Sequence, residues 1–393
     1  MKVLYIIHST IMGGATVSFL NMIEGLKKNK KIIPYVVFPA NSENNQLLIG
    51  KLKEFEIEYF PIQIIMSIYP KIKNLKDVLF FPFKLSKLIV NKYVSLNKLK
   101  SIVVKISPDI IHTNTSVIRE GYKVAKMFKI PHCLHIREYQ DKDFNMRILP
   151  TKQLFISSLK SDNVIAITND LIEHFHLKNS ENAHVIYNGV LYENEKNYIH
   201  DKEKYFLCAS RISPEKGINE AIKGFAEFCK TNSDYNLLIA GFSSNKKYMI
   251  ELQKLVEKLG LTGKVEFLGF KNKQEIEQLM SKSCALIVAS KCEAFGRMTA
   301  EANFYGCFVI GRNSGGTCEI LENTKGGWLY NNQVELTKFM HVAVNLAGTE
   351  QYREKITNAQ NVAVAAYSIE QNVNKIFNLY SWLIQKQNIF NNK

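Results

Sequence analysis

Two glutamates, Glu293 and Glu301, stand eight positions apart in a stretch that holds Phe295-Gly296 between them and Gly315-Gly316 downstream. Carboxylates placed in a loop and in the opening turns of the following helix can reach one bound molecule, and sugar hydroxyls are the donors that suit them. A glycine-containing turn before a helix leaves backbone N–H groups unpaired at a positive helix end, which suits an anion, above all a diphosphate. Upstream, Arg211 and Lys216 of Arg211-Ile212-Ser213-Pro214-Glu215-Lys216-Gly217 offer a planar fork and a point charge for phosphate oxygens. Each feature has a plainer reading: the dipole alone favours a Glu near a helix start, and a basic surface loop means little by itself.

The elements that must carry these groups are legible in the pattern of apolar residues. Ala285-Leu286-Ile287-Val288 reads as a buried parallel strand, and a helix starts near Thr299. Tyr205-Phe206-Leu207-Cys208-Ala209 reads as a strand feeding the Arg211–Lys216 loop, followed by a helix with the stripe Ile218, Ala221, Ile222, Phe225 and Phe228. At the N-terminus a strand over residues 3–7 leads through Gly13-Gly14 into a helix marked by Phe19, Met22, Ile23 and Leu26. Gly13 and Gly14 have no Cβ, so backbone can approach a ligand there, although a tight turn explains them as well. Residues 109–112 end a strand, and side chains at the C-terminal ends of parallel strands face the binding crevice. His112 and Asn114 are therefore crevice candidates, with His112 either an acid–base group or a satisfied structural histidine. Arg137 and Glu138 follow the strand at 131–136 and can contact a substrate or pair with each other. Further strands fit residues 33–38, 57–60, 163–167, 184–187, 237–241, 265–268 and 326–330, and the polar stretch 191–204 reads as a linker. Two successive runs of strand and helix predict an α/β protein of two Rossmann-like, doubly wound domains facing one cleft.

A chain of 393 residues is long for a single core, and 46% hydrophobic with 22% charged residues is ordinary for a folded protein. No apolar run approaches the ~20 residues of a membrane span, and the N-terminus reads as a first strand, so a cytoplasmic protein is expected. The seven cysteines include no C-x-x-C pair, which argues against a zinc site or disulfide framework. More than half of the net charge of +15 lies in residues 71–105, where nine lysines accompany one acid, Asp77. After Pro82, Leu85, Leu88, Ile89, Tyr93 and Leu96 form one helical stripe, with Lys84, Lys87, Asn91 and Lys92 mostly elsewhere. Such a helix can lie on an anionic membrane, each Lys contributing about 1 kcal/mol near the surface, or pack on a core with a solvated Lys face. No nucleic-acid-binding motif accompanies the charge, so no nucleic-acid partner is expected.

The segment Glu293, Ala294, Phe295, Gly296, Glu301, Ala302, Gly306, Val309, Gly315, Gly316 and Glu319 resembles the E-x7-E region of the retaining glycosyltransferases of family four, with Phe308 where that family usually has Pro. Arg211 to Gly217 is similar to the family's Arg-x-x-x-x-Lys-Gly element. The resemblance implies the GT-B fold, with an acceptor-binding domain over 1–192, a nucleotide-sugar-binding domain over 203–368 and a terminal helix over 369–393 that returns to the first domain. It implies that Arg211, Lys216, Gly13 and Gly14 hold the donor diphosphate, that the loop at Phe270 holds the base, and that Ala294, Phe295 and Gly296 line the donor site. It assigns Glu293 to the donor sugar and Glu301 to the ribose, and implies acceptor-side contacts at His112 and Asn114, which Arg137 and Glu138 can join. Many relatives carry a second His where this chain has Asn114. The expected reaction is transfer of a hexose-type sugar, with Glu293, Arg211, Lys216 and His112 as the catalytic group, from a UDP-sugar to a glycan or lipid-linked acceptor of bacterial surface polysaccharide. The expected place is the inner membrane face, against an anionic surface. Asp141 and Asp143 spell the D-x-D of a different transferase class, yet the phosphate-binding parts are cationic, so neither metal nor cofactor is expected. The alternatives are a sugar-nucleotide epimerase of the same fold and a non-catalytic basic membrane or nucleic-acid binder.

Overall fold

The structure is a computed structural model that describes residues 1–30, 32–40, 45–70, 75–144, 146–149 and 151–391. The chain divides into two compact units, one of Met1–Gly189 with Ile369–Lys393 and the other of Val190–Ser368. Among the described residues, no helix is long and apolar enough to cross a membrane.

The first unit is built on seven parallel strands: β1 (Lys2–Ile6), β2 (Ile33–Pro39), β3 (Glu58–Ile62), β4 (Ile110–Thr113), β5 (His132–Ile136), β6 (Asn163–Ala166) and β7 (Ala183–Val185). They lie in the order β3-β2-β1-β4-β5-β6-β7, so the chain reverses direction across the sheet beside β1. Helices cover both faces of such a sheet, which is why Val3, Leu4, Tyr5 and Ile6 are all buried and the strand reads as an unbroken apolar run. The first crossover is α1 (Gly14–Lys30). Gly25 on α1 is required by packing, since a Cβ there would stand 2.6 Å from Val373 of the C-terminal helix, Ile369–Asn391.

A long helix, α2 (Leu75–Ile106), carries Pro82 inside it and so begins before the proline rather than after it. Leu85, Leu88 and Leu96 of the expected stripe are partly buried and continue into Leu99 and Val103, which are buried on the domain core with Leu4 and Ile111. Ile89 and Tyr93, placed on that stripe by sequence, are instead 58% and 64% exposed. Lys92, expected on the polar side, sits on the packed side and pairs with buried Glu120 at 3.1 Å.

The second unit repeats the plan with β8 (Tyr205–Ala209), β9 (Asn236–Ala240), β10 (Val265–Gly269), β11 (Ala285–Val288), β12 (Val309–Arg312) and β13 (Gly327–Tyr330). Its order is β10-β9-β8-β11-β12-β13, with the reversal beside β8. The crossover helix α3 (Ile218–Cys229) seats Ile222, Phe225 and Phe228 against Phe206 and Leu237, which follows from its strongly one-sided sequence. Residues 191–204 are docked rather than loose: Lys202 donates to the carbonyls of Ser281 and Gly306 at 2.6 and 2.9 Å, and Asn197 N–H donates to Phe304. Phe308 is buried against Tyr352 and Trp328, with ring centroids 4.6 and 5.0 Å away. An aromatic cluster therefore occupies the strand entry at Phe308.

Candidate active site

The loops after β8 and β11 bring the expected groups of the second unit together. Lys216 Nζ lies 2.6 Å from Glu293 Oε2, and each side chain keeps about a fifth of its surface open, at 21% and 23%. Arg211 is more exposed, at 66%, and donates to Glu215 Oε1 at 2.7 Å, while the Ser213 hydroxyl donates to the same oxygen at 2.6 Å. These bonds pull the Glu215 carboxyl below its usual range against the opposing effect of burial. Gly217, which closes this loop, has φ of +67°, and a Cβ on it would lie 2.1 Å from the Ala289 carbonyl.

Backbone proximity defines the rest of this surface. Gly296 (φ +92°) ends the loop of Glu293 and starts α4 (Arg297–Phe304), and α5 (Gly315–Thr324) starts nearby. Gly316 N–H donates to the Glu293 carbonyl at 2.8 Å, and a Cβ on Gly316 would fall 2.0 Å from the Phe295 carbonyl. Two helix N-termini thus meet at Glu293, an arrangement that favours an anion. Phe295 is buried edge-on against Tyr367, so its side chain anchors the loop, and ligand contact from Ala294-Phe295-Gly296 falls to the backbone. Glu301, one turn into α4, is 8% exposed and held by Arg297 at 2.6 Å. Burial raises its pKa, and the Arg297 charge offsets part of that rise. Phe270, just past β10, is 79% exposed, and Phe242 past β9 is 66% exposed.

The expected residues of the first unit fall into two groups. Gly13 and Gly14 open α1, have no acid in its first turn, and would meet nothing within 4 Å on gaining a Cβ, so packing does not demand them. His112, Asn114, Arg137 and Glu138 are instead buried at the ends of β4 and β5. Glu138 accepts from the Thr115 hydroxyl, the Ser116 N–H and the Ser116 hydroxyl at 2.6–2.8 Å. Arg137 donates to Asn114 Oδ1 at 2.7 Å, to Asn188 Oδ1 and to His135 Nδ1 at 3.3 Å. It therefore pairs with amides rather than with its neighbour Glu138. Burial pushes the guanidinium down to about 9, still charged at neutral pH.

That charge sets the protons of the histidines beside it. Arg137 can only donate, so His135 Nδ1 accepts; His112 Nε2, 3.2 Å from the same atom, must then carry a proton. His112 Nδ1 is left as an acceptor for the Tyr380 hydroxyl, 2.6 Å away on the C-terminal helix. Burial and the Arg137 charge hold both imidazoles well below their usual pKa. His112 is consequently neutral, fully buried and engaged at both nitrogens, an arrangement that holds a ring in place rather than one that offers a free base. Asp141 pairs with Lys152 at 2.9 Å and His174 at 3.0 Å, and the Asp143 side chain lies outside the described residues.

Sequence reasoning missed several partners. Glu215 and Arg297 were within reach, since each stands four residues from its mate in the sequence. His135 and Tyr380 carried no local signal: the latter is 268 positions from His112.

Two parallel sheets of this order, one in each unit, follow the plan of the GT-B fold. Residues 192–361 match the family of glycosyl transferases group 1. The chain is 26% identical to an alpha-monoglucosyldiacylglycerol synthase of Acholeplasma laidlawii over 96% of each chain. It is 31% identical to an O-antigen chain mannosyltransferase of Salmonella typhimurium over 53% of this chain and 54% of that one, about half the length of that relative. The solved structure of Anabaena HepE in complex with UDP superposes with a TM-score of 0.76 over 97% of this chain and 100% of that one, at 20% identity.

Proposed function

We propose that this glycosyltransferase retains anomeric configuration and moves a hexose-type sugar from a nucleotide sugar, a UDP-sugar, to a glycan or lipid-linked acceptor in surface-polysaccharide assembly. The Acholeplasma relative is named for a lipid product, the Salmonella relative for O-antigen, and the Anabaena structure contains UDP, which supports this choice of donor and acceptor. In this reading residues 203–368 bind the donor and residues 1–192 the acceptor. The absence of a spanning helix among the described residues suits a peripheral protein on the inner membrane face.

The observation that carries the reading is the Lys216–Glu293 pair at 2.6 Å beside the close-packed Gly296 and Gly316 loops. Donor binding gives Lys216 a diphosphate to neutralise, which releases Glu293 for the sugar hydroxyls. Arg211, held by Glu215, reaches the same phosphates from solvent. Negative charge grows on the leaving diphosphate as the anomeric bond breaks, and preorganised cations there lower the barrier by about 3 kcal/mol each. With Arg211 and Lys216 supplying that charge, no metal is needed. The leaving phosphate takes the acceptor proton, in keeping with a His112 that has no free nitrogen. Glu301, neutralised by Arg297, orients the ribose, and Phe270 faces the base.

The test supplies UDP-glucose and UDP-galactose with and without a diacylglycerol acceptor in the presence of EDTA. Acceptor-dependent UDP release and an α-linked product by NMR are expected. Release without acceptor, or inversion at the anomeric carbon, would sink the proposal.

A further inference from the structure

The helix α2 is apolar on two opposite sides, and the core uses one of them. At 100° per residue, Leu85, Leu88, Lys92, Leu96, Leu99 and Val103 share the packed side. Leu79, Phe83, Val90 and Val94 fall within about 40° of the opposite line, a ridge ~22 Å long at 1.5 Å per residue. They are 71%, 72%, 60% and 37% exposed, and Phe80 and Tyr93 on the flanks are 58% and 64% exposed. Isolated surface apolar residues need no explanation, but these six along one side of a helix do.

Charge selects what covers this ridge. From Val78 to Ile106 the helix has six lysines and no Asp or Glu. Lys92 and Lys105 are neutralised by Glu120 and Glu58. Lys87, exposed beside the ridge, and Lys84, exposed on its flank, have no carboxylate partner among the described residues. A like-charged second copy would bring these lysines against each other, whereas an anionic bilayer supplies both an apolar layer and phosphates above it.

We propose that this ridge is the surface by which the protein lies on a bilayer rich in anionic phospholipid, with Leu79, Phe83, Val90 and Val94 in the acyl boundary and Lys84 and Lys87 at headgroup phosphates. The inference deepens the membrane-face reading above and rests on it, and it moves the contact to the side opposite the packed stripe.

The full chain is tested by co-sedimentation with vesicles of phosphatidylglycerol and phosphatidylcholine, without donor or acceptor. Binding that strengthens with phosphatidylglycerol is expected. Lys84→Gln with Lys87→Gln should weaken it about thirtyfold at low salt, at ~1 kcal/mol per lysine. Leu79→Asn with Phe83→Asn should weaken it at least tenfold, while Val334→Asn, exposed on the other unit, leaves it unchanged. Unchanged circular dichroism in each variant excludes misfolding. Vesicle binding indifferent to both double variants would overturn the proposal. So would a dimer, seen by light scattering, that the same variants dissociate. Transfer to a detergent-dispersed acceptor is assayed in parallel: its survival in the variants separates failure of docking from failure of the transfer reading.

Discussion

At the scale of single residues, the site of the second unit is a set of cations already matched to carboxylates. Lys216 pairs with Glu293 and Arg211 with Glu215, so the unliganded loop carries no concentrated positive charge to repel its own fold. A bound diphosphate must compete with these pairs, and the better-shielded Lys216 is the more valuable partner. Lys216→Ala is expected to lower kcat by two to three orders of magnitude, the range seen when one preorganised donor to a developing charge is removed. Arg211→Ala, at a far more exposed side chain, should cost less and act more on KM. Steady-state kinetics with saturating acceptor distinguishes the two, and equal losses from both would contradict the ordering. Glu293→Gln keeps the shape but gives Lys216 no counter-charge, so donor affinity should hold or rise while kcat falls.

At the scale of elements, two contacts decide whether these residues stay in register. Gly316 lets the start of α5 rest on the Phe295 carbonyl, where an added methyl would sit at 2.0 Å. Gly316→Ala should therefore part the two loops, costing roughly 1–3 kcal/mol of stability and at least tenfold in donor affinity. Thermal denaturation and calorimetry with UDP provide the check, and unaltered UDP affinity would show that the loop contact is not needed for binding. In the first unit, the C-terminal helix hands the Tyr380 hydroxyl to His112 Nδ1. Tyr380→Phe leaves that buried acceptor unpaired, with an expected loss of about 1–3 kcal/mol. Because His112 Nδ1 then loses the hydroxyl that donates to it, its NMR shift should change as well. A purely packing role for Tyr380 would leave that shift alone.

At the scale of the whole molecule, the two units respond differently to acid. His112 and His135 are held neutral by burial and by the Arg137 charge, with pKa values well below those of the unfolded chain. The unfolded state therefore binds more protons below about pH 6.5, and stability present above that pH is lost as the pH falls. Each histidine can contribute up to about 1.4 kcal/mol per pH unit in that window. The first unit is expected to melt ahead of the second between pH 6.5 and 5, seen as a split calorimetric transition. His135→Asn should flatten the pH dependence of the first step. A single transition with the same slope in that variant would refute the assignment.

The amino-acid sequence by itself determined the two alternating strand–helix units and the residues around Glu293 and Lys216. Those signals are local: apolar runs of strand length, helical stripes, and glycines wherever backbone must approach backbone. Phe308 shows the limit of a local signal, since its departure from Pro could be seen but not its aromatic partners Tyr352 and Trp328. Tertiary structure alone decided which side of α2 is buried, because a helix with apolar residues on opposite faces has no preferred side until a core is offered. It also decided that His112 is a bound ring, because its tautomer depends on an arginine 25 positions away and its Nδ1 is occupied by a tyrosine 268 positions away. Periodicity reads along one element, whereas proton placement in a buried network depends on groups that meet only when the chain has folded.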